Sequence, residues 1–345
     1  MLDAFRFLRD VAEPDGGLQR AVSRRGGISR LRSLYARREP DIGLEVDLDI
    51  EGRAWGYRLR FGQDNARRLI VKEERVCRPD KCFLERPDAE DAADPGRLAQ
   101  THLEQVNTNK EFREVARALA SVRYLHIVPQ LVREPGRYAP PGGDSDPYGG
   151  DFLERLARTQ KEQTRTFRSR LRRINDALKV AVPQFRDLKL ERDETGRPHL
   201  FARHEHWRPR AGWQSEDQFS DGTLRLLGLL WAVVEGTGPL LLEDPELSLH
   251  EALIRLLPSI MWHATRKSRR QIVISTHSAA LLSDGGIAAE EVLVLRPTRN
   301  GTTVELASAS KEVRVLLEKG LAAGEVVLPR VAPENPEQLL LKFVG

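Results

Sequence analysis

Residues 240–250, LLLEDPELSLH, place two adjacent acids directly after an apolar run. Residues 240–242 show no alternation of apolar and polar side chains, which is typical of a buried strand in a parallel sheet. Ligands of such sheets bind beyond the carboxyl ends of the strands, where Glu243 and Asp244 are expected. One carboxylate could hold Mg²⁺, usually through water, while the other accepts a proton from an attacking water. The alternative is a strand that simply ends in an acidic turn.

A second stretch, FSDGTLRLLGLLWAVVEGTG at 219–238, predicts a buried helix. Ser220 is a favoured N-cap residue, and Gly236 is a favoured residue just past a helix end. Apolar residues cover nearly every side between them, so the helix must be buried on most of its surface. The free N–H groups at its N-terminus suit an anion, and Gly222 would let a phosphate approach the backbone. The alternative is a capped core helix without a ligand.

A third stretch, QIVISTHSAALL at 271–282, contains another short apolar run followed by polar residues. The pattern predicts a helix over 251–262 and a buried strand over 271–275, so that His277 follows the carboxyl end of this strand. A lone histidine is more often structural than functional. Here, however, strand, helix and strand follow one another, and polar groups come after both strands.

These three stretches together, in this order, resemble the ABC-type ATPase heads of the RecF/SMC-like class, which belong to the AAA-family ATPases. FSDGT is similar to the signature motif of that class, LLLEDP to Walker B, ELSLH to the D-loop and STHS to the switch histidine. The clear part of the resemblance covers about 210–300. It implies an α/β, P-loop NTPase-like fold with a mostly parallel sheet core, an antiparallel β lobe and a helical lobe.

The resemblance implies a role for each matching residue on this chain. Glu243 would hold Mg²⁺, Asp244 would be the catalytic base that polarises the attacking water, and His277 would contact the γ-phosphate. Gln130 is assigned to the Q-loop on weaker grounds.

The signature residues imply a dimer. Ser220, Asp221 and Gly222 would contact the γ-phosphate of an ATP bound mainly by a second copy of the chain. ATP and Mg²⁺ are therefore the expected cofactors, and the second copy is the expected partner. DNA or an effector protein is a further expected partner, with action on DNA or in phage defence as the process.

Two departures from the family pattern qualify the expected activity. The base of the family is usually glutamate, and Asp244 is one methylene shorter, so we expect slow turnover because misplacement near 1 Å costs about 100-fold in rate. The phosphate-binding run G-x-x-x-x-G-K-[ST] does not occur in the sequence. We favour a truncated start over a natural loss of the loop, and we expect this polypeptide to bind ATP weakly or not at all. The alternative function is a degenerate, non-hydrolysing module that binds a partner or nucleic acid.

The remaining patterns predict the other parts of the architecture. Helical spacing predicts helices over 2–12 and 151–181, the latter rich in arginine and either a solvated face or a nucleic-acid or partner surface. A strand opens at 124 and breaks at Pro129, and a loop covers 134–150. Further strands are predicted at 45–50, 55–61, 69–76, 186–204 (a hairpin), 291–295 and 302–306. We expect one head over 1–345, with the β lobe at 45–76, the helical lobe at 86–182 and the core at 210–310.

The composition is typical of a soluble, globular protein. The 345 residues carry a formal net charge of +4, which permits contact with nucleic acid without requiring it. No apolar run approaches the roughly 20 residues that span a bilayer, and no secretory signal is recognised, so we expect a cytoplasmic protein without membrane contact. Cys77 and Cys82 are predicted to be incidental thiols, with a metal or redox site as the alternative.

Overall fold

The structure is a computed structural model, and it describes residues 1–32, 40–134, 146–207, 212–299, 301–333 and 335–344. The chain forms two compact units. Met1–Arg123 with Pro297–Thr303 makes the first, and Tyr124–Arg296 with Val304–Gly345 makes the second. The predicted division into a single head with three parts stays a prediction.

The first unit is built on a four-stranded antiparallel sheet of order β1-β2-β3-β4. Its strands are β1 (Ile42–Ile50), β2 (Arg53–Gln63), β3 (Leu69–Cys77) and β4 (Cys82–Arg86). The predicted hairpin and third strand are therefore confirmed. Alternate residues of β2 are buried while their neighbours are largely exposed, as expected for a sheet with one face on the core.

Five helices are described in the first unit. They are α1 (Leu2–Ala12), α2 (Leu18–Arg24), α3 (Ile28–Leu31), α4 (Ala89–Ala93) and α5 (Arg113–Ala120). The helix predicted over 2–12 is confirmed. The rings of Phe7 on α1 and Phe61 on β2 stack with centroids 5.1 Å apart, and both side chains belong to one core cluster with Trp55 and Leu59.

The two cysteines are joined to each other. Cys77 at the end of β3 and Cys82 at the start of β4 form a disulfide, so the prediction of incidental thiols is wrong. Their backbones are brought together by the β3–β4 pairing, in which Cys77 lies opposite Cys82. Because the chain has no other cysteine, the alternative of a thiolate metal site is not supported either.

The second unit contains a three-stranded sheet of order β10-β9-β5. Its strands are β5 (Arg123–Leu125), β9 (Leu240–Glu243) and β10 (Ile272–Ser275). β9 and β10 run parallel, with Leu240 opposite Ile272 and Glu243 opposite Ser275. The two buried parallel strands predicted from the apolar runs are confirmed, and with the antiparallel sheets they confirm the mixed α/β class.

Two further sheets are smaller. The strands β6 (Phe185–Arg192), β7 (Pro198–His204) and β8 (Trp213–Ser215) form an antiparallel sheet, which confirms the hairpin predicted over 186–204. The strands β11 (Leu293–Thr298) and β12 (Gly301–Leu306) form a two-stranded sheet.

The helices of the second unit pack around these sheets. They are α6 (Pro129–Arg133), α7 (Phe152–Glu162), α8 (Thr164–Ala181), α9 (Asp221–Val234), α10 (Glu251–Ile254), α11 (Leu257–Thr265), α12 (Lys311–Glu318), α13 (Ala323–Val327) and α14 (Glu337–Val344). Short 3₁₀ turns lie at Pro95–Ala99, Lys110–Phe112, Glu216–Gln218, Leu281–Ser283, Ala289–Glu291, Ala307–Ala309 and Leu328–Arg330.

Two predicted helices are each interrupted. The segment 151–181 forms α7 and α8, which are separated at Gln163, where φ is −135° and ψ is 54°. The segment 251–262 forms α10 and α11, because Pro258 lies in the first turn of α11, where a proline ring is tolerated, rather than in the interior of one long helix. Most of the loop predicted at 134–150 lies outside the described residues.

The central helix of the second unit is α9, which confirms the buried helix predicted over 220–236. The Ser220 hydroxyl accepts a hydrogen bond from the Thr223 N–H, as an N-cap should, and Gly236 follows the C-cap with φ +76°. A side chain at Gly228 would overlap the Ile127 methyl group, so glycine allows close packing there. Within the described residues, no helix is both long and apolar enough to cross a membrane.

Candidate functional site

The candidate site lies at the carboxyl ends of β9 and β10. Because Glu243 lies opposite Ser275 in the parallel register, Asp244 and Thr276 are the first residues beyond the two strands. The Asp244 N–H donates to the Ser275 carbonyl at 3.1 Å, which continues the strand pairing by one bond. Asp244 has φ +43°, a left-handed conformation that aspartate and asparagine tolerate better than most residues. The backbone therefore turns sharply at the second acid.

β5, the other neighbour of β9, and the residue just beyond it each add one side chain at this edge. The Tyr124 hydroxyl donates to Oε2 of Glu243, and Nδ1 of His126 lies 3.1 Å from the Glu243 main-chain carbonyl oxygen. One ligand atom from each of His126, Glu243 and Asp244 lies within 4.8 Å of the other two, and all three residues are half-buried. The structure thus brings an imidazole to the predicted pair of acids.

An arginine from α9 faces the same place. A small cavity of about 20 Å³, enough for about one water molecule or ion, is lined by Arg225, Glu243 and Asp244 together with Leu125, Ile127, Leu229, Leu242 and Pro245. Burial lowers the pKa of Arg225, and the nearby charges of Asp221 and Asp244 oppose this shift. Its Nε has no hydrogen-bond partner among the described residues. Arg225 therefore supplies a partly desolvated positive charge next to Asp244.

The predicted signature residues lie at the first turn of α9. Ser220 is exposed, and its hydroxyl caps the helix. Asp221 is paired with Arg133 at 2.7 Å, and the same guanidinium nitrogen donates to the Phe219 carbonyl at 2.6 Å. The structure thus anchors Asp221 within its own chain and leaves Ser220 accessible.

Gly222 is required by the protein itself. A Cβ at this position would lie 2.5 Å from the Ser248 main-chain oxygen, in the segment that follows Asp244. Ser248 has φ +62°, so its carbonyl is held by a turn and cannot rotate away easily. From the sequence we expected a phosphate to lie close to the backbone of Gly222. In the structure, the Ser248 main-chain carbonyl lies close to it.

This contact leads to a prediction for Gly222→Ala. We expect the variant to lower the free energy of unfolding by about 1–3 kcal/mol, because the added methyl group overpacks against backbone, although alanine itself favours helix. Gly285→Ala is the matched control, since nothing lies within 4 Å of the added Cβ there. Thermal unfolding of the chain without nucleotide measures both. Equal stability of the two variants would mean that Gly222 is needed only for a ligand.

The predicted switch histidine lies on a well-defined turn. The Thr276 hydroxyl donates to Oε1 of the buried Glu246 and accepts from the Ser278 N–H at 2.9 Å. His277, between them, is exposed. The turn therefore presents His277 to solvent at the same edge of the sheet as Glu243 and Asp244. Among the described residues, neither His277 nor the exposed Gln130 of α6 lines the cavity.

The donor set fits a divalent cation. Two adjacent half-buried carboxylates repel each other, and a bound cation relieves that repulsion. Carboxylate oxygens are the ligands that Mg²⁺ prefers, and Mg²⁺ typically uses one or two of them and keeps several waters. Tyr124 fixes one oxygen of Glu243 and leaves the other available. Glu243 is therefore the residue that would hold Mg²⁺, with the carboxylate of Asp244 beside it.

Solved structures of SMC head domains are similar to this chain at a low level. An Smc head domain with an extended coiled coil, bound to the C-terminal domain of ScpA and derived from Pyrococcus furiosus, has a TM-score of 0.43 and 13% identity. The match covers 92% of this chain and 89% of that one. The SMC head domain from Thermotoga maritima has a TM-score of 0.34 and 12% identity, with coverage of 73% and 74%. These values are too low to support an argument about function.

A family model gives the stronger comparison. It is described as "AAA domain, putative AbiEii toxin, Type IV TA system" and matches residues 1–283. No curated protein matches the chain. The family match spans both acids, His126, the signature residues and His277, and it confirms the ATPase resemblance drawn from the three motifs. The chain therefore belongs to this AAA domain family, whose model covers more than three quarters of its length.

Proposed function

We propose that the chain is an ATP-binding and ATP-hydrolysing head that dimerises on ATP. The observation that carries the proposal is the common edge of β9 and β10, which are in parallel register: Glu243 ends β9, Asp244 follows it, and His277 comes two residues after β10. The family match supports an ATPase-type domain, and the geometry of this edge supports the assignment of roles within it.

In this proposal Glu243 holds Mg²⁺, with its carboxylate oriented by the Tyr124 hydroxyl. Bound Mg²⁺ would neutralise charge on the phosphates. Asp244 accepts the proton of the attacking water, and Arg225 lines the cavity beside it. His277 contacts the γ-phosphate from the turn that Thr276 and Glu246 fix.

The signature residues act on the nucleotide of the second copy. Ser220 and the N–H groups of the first turn of α9 offer donors and the positive end of the helix dipole to a γ-phosphate. The carboxylate of Asp221 is held by Arg133, so we propose that Asp221 positions this turn while Ser220 and Gly222 contact the phosphate. Gln130, exposed on α6, remains the proposed Q-loop residue.

A second candidate function is a non-hydrolysing module that binds nucleic acid or a partner protein. The observation that favours it is that α7 and α8 expose many cations. The exposed cations are Arg158, Lys161, Arg165, Arg168, Arg172, Arg173 and Lys179. Such a surface attracts phosphate backbones or an acidic partner in a salt-dependent way.

Nucleotide-dependent stability and mass separate the two functions. If the chain is an ATPase head, millimolar ATP with Mg²⁺ should raise the melting temperature and shift the mass in solution from monomer to dimer. Ser220→Arg, which blocks the opposed surface, should abolish the dimer, whereas Ser23→Arg, at an exposed position of α2 in the first unit, should not. An unchanged melting temperature and mass, together with salt-dependent binding of DNA, would favour the binding module instead.

A further inference from the structure

The disulfide between Cys77 and Cys82 has one exposed and one half-buried cysteine. Cys82 is the first residue of β4 and is exposed, whereas Cys77 is the last residue of β3 and is half-buried. Thiol–disulfide exchange depends on which sulfur a thiolate can reach, and the other sulfur then leaves as a thiolate. The structure therefore presents Cys82 as the sulfur that is attacked and Cys77 as the leaving group.

The hairpin around this disulfide is held by few backbone contacts at the same end. β4 lies at the edge of the four-stranded sheet, and its pairing with β3 is irregular between Val76 and Cys77. The turn at 78–81 is closed by two hydrogen bonds between Arg78 and Lys81, at 2.7 and 3.3 Å. The cysteines are only five positions apart, and a cross-link stabilises a short loop less than a long one. The disulfide therefore holds one end of one hairpin rather than the whole unit.

The remainder of β4 is held independently of the disulfide. Phe83 packs against Trp55 with ring centroids 5.0 Å apart. Arg86, at the end of β4, is buried and donates hydrogen bonds to two buried carboxylates. Cleavage of the disulfide should therefore loosen Cys82 and the turn at 78–81, while Phe83 and Arg86 keep the rest of the strand in place.

We propose that Cys77 and Cys82 form a redox-active pair that a dithiol reductant cleaves in the folded protein, and that cleavage loosens the turn at 78–81. One thiolate of the reductant attacks Sγ of Cys82, the S–S bond breaks, and Cys77 leaves as a thiolate that takes up a proton. The second thiol of the reductant attacks the mixed disulfide and releases Cys82. Two electrons thus pass from the dithiol, which becomes a disulfide, to the two cysteines. This reaction does not depend on the ATPase activity proposed above.

The rate of cleavage is measured on the full chain after oxidation with diamide. Dithiothreitol is added with and without urea, and the free thiols are alkylated with iodoacetamide and counted by intact mass. We expect no free thiol before reduction and two afterwards, with the folded chain reacting no more than about 10-fold more slowly than the unfolded chain. Two free thiols that persist after oxidation would overturn the proposal, and so would cleavage that occurs only in urea.

The attacked sulfur is identified with glutathione, a monothiol that leaves a mixed disulfide. The reaction is stopped early with iodoacetamide, and trypsin, which cleaves after Lys81, places the two cysteines in different peptides. We expect at least about 10-fold more glutathione on Cys82 than on Cys77, because Cys82 is the exposed residue. An adduct found mainly on Cys77 would contradict the assignment of the attacked sulfur.

Hydrogen exchange measures the local consequence of cleavage. Reduction of the wild type should speed exchange of the Arg78 and Lys81 amides about 10-fold or more, because their hydrogen bonds close the turn. The amides of His102 and Leu103, which donate to Glu74 at the Arg86 end of the hairpin, should exchange as before. Unchanged exchange at the turn would show that the disulfide does not control it.

The double variant Cys77→Ser, Cys82→Ser is the matched control for exchange. Its turn amides should exchange at the rate of the reduced wild type, and dithiothreitol should not change that rate. A response of this variant to dithiothreitol would mean that the effect in the wild type does not come from the disulfide. The comparison of oxidised and reduced wild type needs no substitution, so it decides the outcome even if the variant does not fold.

Discussion

Asp244→Asn should lower single-turnover ATP hydrolysis by about 10²–10⁴-fold, the range that a positioned general base contributes. Asparagine has the same size as aspartate and tolerates the left-handed backbone at this position, where φ is +43°. The variant therefore removes the proton acceptor and retains the turn that places it. ATP binding, measured by the shift in melting temperature, should persist or strengthen because two adjacent negative charges become one.

The control for this variant is Asp176→Asn on α8, where the aspartate is exposed and paired with Lys179. It should hydrolyse ATP at the wild-type rate. A wild-type rate for Asp244→Asn in the same assay would exclude Asp244 as the base. Asp244→Glu tests the length of the side chain instead. If the short aspartate misplaces the attacking water, the added methylene should raise the hydrolysis rate by up to about 100-fold.

The local patterns of the sequence predicted much of this site. β9, β10 and α9 were each recognisable from a short run of residues, because burial on both faces removes alternation from a strand and an N-cap needs one residue type at one position. The rule that ligands bind beyond strand ends then placed Glu243, Asp244 and His277 at one edge. The parallel register of β9 and β10 confirms that placement of the strand ends.

The residues contributed by other parts of the chain could not be predicted in the same way. Tyr124 and His126 are 119 and 117 positions away from Glu243 along the chain. The spacing of apolar residues predicts a strand but does not show which strand lies beside β9. The histidine in YLH preceding Pro129 was a visible signal, but without a known neighbour it had no partner. Arg225 was hidden by the apolar residues around it in α9.

Glycine and cysteine show a different limit. Gly222 was recognised as a site of close approach, yet a sequence does not show whether a ligand or the chain's own Ser248 carbonyl approaches it. Cys77 and Cys82 are five residues apart, and their pairing follows from the β3–β4 register rather than from their spacing. In each case the sequence shows the residue, and only the structure shows which part of the chain lies next to it.

The largest effect on stability is expected in the first unit, from Arg86→Met. The Arg86 side chain is fully buried and donates two hydrogen bonds to Asp91, at 2.8 and 2.9 Å, one to Glu74 at 3.2 Å, and others to backbone carbonyls. The bonds to Arg86 lower the pKa of Asp91 to about 2. Methionine fills the space but removes the guanidinium that both buried carboxylates share, with Arg97 still 3.7 Å from Asp91, and breaking such a buried pair costs about 3–5 kcal/mol.

Arg58→Met is the matched control, because Arg58 lies exposed on β2 and its pairs with Glu45 and Glu73 are at the surface. Urea unfolding should detect a large loss for Arg86→Met and no measurable change for Arg58→Met. Hydrogen exchange then locates the loss: the amides of His102 and Leu103 donate to Glu74 at 2.7 and 3.0 Å, so their protection should fall in Arg86→Met. A buried carboxylate that is charged and unpaired must lower the free energy of unfolding. Equal unfolding curves for the two variants would therefore show that Glu74 and Asp91 find other partners or are protonated.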